Sequence, residues 1–236
     1  MQTVRDRLRS IRVSHRILFI SAIAILWLGN FTDVDIALAN AMFDEEKGIF
    51  PWRDAWLADR FNHVLLKRAL VAAGVTVVLL NLWDLFRRLP WRPTTRISMR
   101  ILGLSALLVP AVISGIKRFS TSHCPWDIDR FGGQEPYIRL LEALPAGVTA
   151  GHCMPAGHAS SALWLVALAV FCLPSSPRAA AAIACVLLLF GFAVGWMQQL
   201  RGAHFLSHTL WSMWIAAVIV DTLYWRFKVK PRLTSK

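Results

Sequence analysis

At 236 residues the chain carries 56% hydrophobic residues and only 17% charged ones, and 26 Lys and Arg against 14 Asp and Glu leave a formal charge of +12. That composition is too apolar for an ordinary soluble domain and excludes disorder, while 13 Gly and 11 Pro exclude a collagen-like repeat and four Cys in so long a chain exclude a disulfide miniprotein. What remains is a membrane protein, and because the basic residues flank apolar blocks instead of forming one stripe, their charge points to membrane topology and not to nucleic acid.

Six stretches approach the roughly 20 mainly apolar residues that a membrane helix needs. In chain order they run from Ile17 to Leu38, Ala69 to Phe86, Ile101 to Ile116, Ala159 to Leu173, Ala179 to Leu200 and Phe205 to Trp225. The first is interrupted by Asn30, Thr32, Asp33 and Asp35. It also carries a basic start, an apolar core and the run Ala37-Leu38-Ala39 that fit a secretory signal; we read it as a retained helix. The expected architecture is therefore all-α: a single integral membrane domain over residues 1–236 with six transmembrane helices.

Positive segments near helix ends stay cytoplasmic. With six helices, one side collects 16 of the 26 cations, including Arg5, Arg7, Arg9, Arg12, Arg87, Arg88, Arg178, Lys228, Lys230, Arg232 and Lys236, against Asp6, Asp84 and Asp221 alone. Both termini are expected on that side. The outer side then holds connections from about Ala39 to Arg68 and from Lys117 to His158, and a tight turn at Arg201 to His204. Most of the 11 Trp fall near proposed helix ends or in outer loops, as interfacial anchors do. Cys124 and Cys153 lie in the long outer connection; an oxidising compartment would allow them to pair, and two reduced thiols fit the sequence equally.

Six of the seven His, namely His63, His123, His152, His158, His204 and His208, fall on or near the outer face. Three segments converge there, all within residues 117–212. Lys117-Arg118 begins where the third helix leaves the membrane, and two adjacent cations suit a phosphate. Met154-Pro155-Ala156-Gly157-His158 makes a turn that feeds a helix start, where free N–H groups near Gly157 favour an anion. Arg201-Gly202-Ala203-His204 leads to His208, four residues on and so on one helical face with His204, with Arg201 one turn before. A cation and two His in so short a hairpin are costly unless they face a polar site.

These residues resemble the type 2 phosphatidic acid phosphatase superfamily, in its branch of membrane lipid phosphatases. The family pattern is Lys, six residues, Arg-Pro; then Pro-Ser-Gly-His; then Ser-Arg, five residues, His, three residues, Asp. Lys117 matches the phosphate-binding Lys, but Cys124-Pro125 stands for Arg-Pro. Pro155, Gly157 and His158 match the second motif with Ala156 for Ser. His204 matches the nucleophile, with Gln198 at the Arg position and His208 at the Asp position. The resemblance covers the third to sixth helices, which would form the phosphatase core.

It implies a reaction that needs no metal or cofactor: His204 attacks phosphorus, His158 protonates the departing oxygen, and water hydrolyses the phosphohistidine. Lys117, Arg118, Arg201 and the backbone at Gly157 would hold the phosphate oxygens. His208 cannot supply a carboxylate's charge, yet a neutral His208 can accept a hydrogen bond from His204 and fix its tautomer; Asp127 and Asp129 are the other sources of the missing carboxylate. The expected partners are the bilayer and a phosphorylated lipid such as phosphatidic acid, phosphatidylglycerophosphate, a polyprenyl diphosphate or lipid A, reached from the periplasmic face of a bacterial inner membrane; the sequence gives no oligomeric state. Beside it stand a structural membrane protein without catalysis and two sharper alternatives. One is a lipid phosphotransferase with a polyprenyl diphosphate donor; the other is a membrane protein that binds zinc or copper through His123-Cys124, His152-Cys153, His204 and His208.

Overall fold

The computed structural model describes residues 2–229, with side chains for residues 13–227. The cationic positions Arg5, Arg7, Arg9, Arg12, Lys228, Lys230, Arg232 and Lys236 have side chains outside that range. Among the described residues the longer helices follow one another as α1 (Gln2–Phe31), α2 (Val34–Met42), α3 (Leu57–Phe86), α4 (Pro93–Lys117), α5 (Ser160–Cys172), α6 (Pro177–Leu200) and α7 (Leu206–Val229), with two short 3-10 turns at Pro125–Asp127 and Asp129–Phe131. No strand occurs among the described residues.

Among the described residues five helices are long and apolar enough to cross a membrane, within α1, α3, α4, α6 and α7, where the sequence pointed to six. The exception is α5. Its apolar run is only 13 residues and, after one α-helical turn, winds as a 3-10 helix over Trp164–Cys172. The 3-10 rise of about 2.0 Å per residue stretches it to about 24 Å, short of the roughly 30 Å of a bilayer core. α5 is instead the buried centre of the bundle. Ala159, Ala162, Leu163, Trp164, Val166, Ala167 and Val170 are all buried, packed between α4, α6 and α7. Leu163 occupies the space where a side chain on Gly191 of α6 would stand, so only glycine lets the two helices approach so closely.

The first expected span is also divided. α1 stops at Phe31, and Thr32 and Asp33 break the chain before α2, where the polar residues fall. The second span begins earlier than the hydropathy predicts, because Leu57–Leu66 is wound as a π-helix that runs into α3 proper. Around the bundle, large apolar side chains such as Ile17, Phe19, Ile20, Trp27, Val71, Leu79 and Val186 point outward. In water that surface would be costly; hydrocarbon satisfies it.

The two ends of the bundle differ. At one end buried Asp84 of α3 accepts from Arg96 (3.0 Å) and Arg100 (2.7 Å) of α4 and caps the turn through the Leu89 N–H. At the other end the 118–159 connection, the 43–56 connection and the 201–205 turn meet around an aromatic cluster of Phe43, Phe50, Phe131 and Phe205. The connection is closed by a disulfide between Cys124 and Cys153. Its loop of about 30 residues corresponds to about 3–4 kcal/mol of chain entropy removed from the unfolded state.

Candidate active site

His204 sits in the turn between α6 and α7. Gly202 has φ +74° and its missing side chain is replaced by the ring of Phe50, so the sharp reversal that presents His204 requires glycine twice over, for conformation and for space. Trp126 donates its N–H to Gly202 O at 3.0 Å, tying the long connection to this turn. Trp126 also carries the Arg53 guanidinium on its ring, 5.0 Å from the centroid. α7 then begins beneath Asp35 of α2, whose buried carboxylate accepts the Ser207 N–H at 2.9 Å and the Ser207 hydroxyl. Burial holds the Asp35 carboxyl above the usual carboxylate range in spite of those bonds.

The turn from Met154 to His158 is fastened to α7. Ala156 donates to His208 O at 3.0 Å, and the Ser212 hydroxyl donates to Ala156 O, also at 3.0 Å. Lys117, at the end of α4, lays its side chain against Gly157, with Nζ 3.9 Å from where a Cβ would be. The three predicted segments thus do converge. His204 and His208 stand edge to face with centroids 5.8 Å apart. Burial, followed by the charges of His208, Lys117 and His158, holds the His204 imidazole far below the ordinary histidine range, so it is neutral.

No hydrogen bond joins His204 to His208 among the described residues. The Nδ1 of His204 faces Cys153 Sγ at 3.4 Å instead. Asp129 accepts the neighbouring Arg130 N–H, and neither it nor Asp127 meets either histidine. Of the remaining histidines, His123 lies between the carbonyls of Thr149 (2.9 Å) and Pro136 (3.2 Å) and pins the long connection. His152 is exposed and lines an open hollow with Ser114, Lys117 and Arg118.

Two findings depart from the motif. Arg201 commits its guanidinium to Arg53 O (2.8 Å), Gln198 Oε1 (3.1 Å) and Asp59 Oδ1 (2.8 Å). His158 directs Nε2 to the Asn62 carbonyl at 3.1 Å, and its Nδ1 is buried without a partner. Burial first, then the charges of His63, Lys67 and Arg201, lower its pKa to about 4.

The surprise is α3. Its first turns carry Asp59, Asn62 and His63 into the site, with Lys67 one turn further on. The His63 ring stacks on His158 with centroids 4.8 Å apart and planes 7° from parallel, and His63 Nδ1 lies 3.4 Å from Gln198 Oε1. Sequence reasoning noted His63 only as one of the outer histidines and passed over Lys67. The spacing of Asp59, His63 and Lys67 at intervals of four, polar residues along one face of an apolar helix, is the signal that points to them. Lys67, Lys117 and Arg118 have no carboxylate within ion-pair distance among the described residues. Four imidazoles and three cations without an ion pair among the described residues thus lie at this end of the bundle.

The family model of the PAP2 superfamily matches residues 98–232, from α4 onward, which is more than half of the chain. The chain belongs to the PAP2 superfamily. No curated protein and no solved structure matches it significantly. The PAP2 match includes Lys117, the Pro155–His158 turn and His204, while α1, α2 and α3, and with them His63 and Lys67, lie before it. The sulfur atoms of Cys124 and Cys153 do lie within 4.8 Å of a His204 nitrogen, a spacing a metal would accept, but both are joined to each other and have no thiolate to offer.

Proposed function

We propose that this PAP2 protein is a membrane phosphatase that hydrolyses a lipid phosphomonoester or diphosphate through a phosphohistidine on His204. The observation that carries the reading is the placement of Lys117 against Gly157 beside a buried, neutral His204, with no competing carboxylate. A neutral imidazole has the lone pair that a nucleophile needs. The Nε2–P bond forms as the P–O bond to the leaving group breaks, and water then cleaves the phosphohistidine. Lys117 and Lys67 neutralise the phosphate oxygens from α4 and α3, Arg118 stands at the rim, and Arg201 holds Asp59 and Gln198 in place while adding its charge.

His158 is neutral before substrate arrives. A phosphate dianion beside it favours the imidazolium, so substrate binding itself loads the proton that the leaving oxygen receives. His208, buried against His204, keeps the nucleophile in a dry and apolar setting. A lipid substrate is supported by an apolar groove between α3 and α4, lined by Leu70, Val71, Gly74, Leu107, Pro110 and Trp164, which starts one turn from Lys67. An acyl chain lying there leaves its headgroup at the cations. The disulfide favours the oxidising, periplasmic side of a bacterial inner membrane for this end of the bundle.

The test is phosphate release, in EDTA, from phosphatidic acid, phosphatidylglycerophosphate, a polyprenyl diphosphate and lipid A, with His204→Ala as the control. Release that persists in EDTA and vanishes in the variant is expected. Absence of release from every lipid, or release that survives His204→Ala, overturns the reading.

A further inference from the structure

The family's carboxylate, which would hold the nucleophilic imidazole in one tautomer, is replaced here by His208, and His208 does not hydrogen-bond His204. The family's Arg is replaced by Cys124, and its disulfide partner Cys153 brings Sγ to 3.4 Å from the His204 Nδ1. Cys153 is fully buried, with Sγ 3.4 Å from His204 Nδ1 and 3.2 Å from Ala203 O.

A disulfide sulfur carries no proton. It can accept a hydrogen bond but cannot donate one, so a bond between it and His204 requires the proton on Nδ1 and leaves the lone pair on Nε2. A free thiol at the same place has an S–H, which can donate to Nδ1 and thereby stabilise the opposite tautomer, whose Nε2 is protonated and not nucleophilic. We propose that Cys153, kept aprotic by its disulfide with Cys124, is the positioning residue of His204, taking over from the carboxylate the task of holding the proton on Nδ1. The inference rests on His204 being the nucleophile.

The disulfide is not the only tie at this point. Cys153 donates its N–H to Ser122 O at 2.9 Å, Gly151 to Thr121 O at 3.1 Å and His152 to Ser120 O at 3.1 Å. The two segments therefore stay paired when the S–S bond is opened, and reduction changes the chemistry at His204 without freeing the loop.

The experiment uses the full chain in detergent micelles, labelled with 15N-histidine, oxidised and then reduced with a phosphine reductant. Long-range proton–nitrogen correlations read the tautomer of His204, assigned by loss of its signals in His204→Gln. The oxidised protein should show the Nδ1–H form, and reduction should populate the Nε2–H form. In parallel, kcat for the lipid substrate should fall by about 10- to 100-fold on reduction and in Cys124→Ser, with KM moved less than about 2-fold and kcat restored in the wild type by reoxidation. An Nε2–H tautomer in the oxidised protein, an unchanged tautomer after reduction, or an unchanged kcat would overturn the proposal. If no lipid is hydrolysed by the oxidised protein, the phosphatase reading fails, and the tautomer measurement still decides what Cys153 does to His204.

Discussion

His63 of α3 and His158 of the turn before α5 stack as parallel rings, with centroids 4.8 Å apart. One comes from a helix outside the PAP2 match and the other from its central motif, so the site is assembled from both halves of the chain. Substituting His63 with Ala removes the ring that shields His158 and leaves Gln198 Oε1 with Arg201 as its partner. The expected outcome is a fall in kcat of about 10-fold, with a pH profile displaced toward the alkaline side because burial and a neighbouring charge no longer depress His158. Steady-state kinetics from pH 5 to 8 check both.

Lys67 is expected to act on binding. Lys67→Met removes one of the unpaired cations and should raise KM, and the inhibition constant for orthovanadate, by about 10-fold, the usual effect of losing one charge-assisted hydrogen bond to a phosphate. Far-UV circular dichroism should be unchanged, because Lys67 is exposed and makes no ion pair among the described residues. A variant that binds vanadate as tightly as the wild type places Lys67 outside the site.

Acid should destabilise the fold. His158 titrates near 4 in the folded chain against an ordinary value of 6.5, so between those values the unfolded chain binds more protons and stability falls as pH drops. That one group contributes on the order of 3 kcal/mol, fully lost by about pH 4, and His204 shifts in the same direction. Thermal melts in detergent should therefore be flat above pH 7 and decline steadily from there to pH 4.5; a melting temperature constant over that range contradicts the buried, neutral state of both rings.

Asp35→Ala leaves the Ser207 N–H and hydroxyl at the start of α7 without their acceptor. A lost cap of this kind costs about 1–2 kcal/mol, and because His204 and His208 flank the same helix start, kcat should drop as well. The melting temperature and kcat of Asp35→Ala and Asp35→Asn distinguish the two effects, since Asn retains an acceptor.

The candidate residues of the site were legible in the sequence because they stand out by residue type and local spacing. Lys117, Pro155-Ala156-Gly157-His158 and His204 stood out as polar residues at the ends of apolar stretches, where membrane burial makes them expensive without a purpose. Long apolar stretches with basic flanks likewise disclosed a bundle of membrane-length helices. The fourth expected span, α5, is too short as a helix to count among the membrane-length ones, since hydropathy measures how apolar a segment is and not how long a helix it forms or whether protein or lipid surrounds it.

Only the tertiary structure decided which groups touch. Spacing put Arg201 among the phosphate-binding residues and could not show that its guanidinium meets Arg53 and Asp59, because these lie on a distant connection and helix. His63 and Lys67 gave a helical period but no sign of which bundle face they line. Whether Cys124 and Cys153 pair depends on bringing two distant points of one connection together, which the paired segments 120–122 and 151–153 accomplish. The sequence by itself determined the bundle of apolar helices and singled out His204 as a candidate, through burial cost and short-range pattern; the orientation of that ring, with its Nδ1 against Cys153, was decided by packing, because partners far apart in the chain are selected only when the helices close.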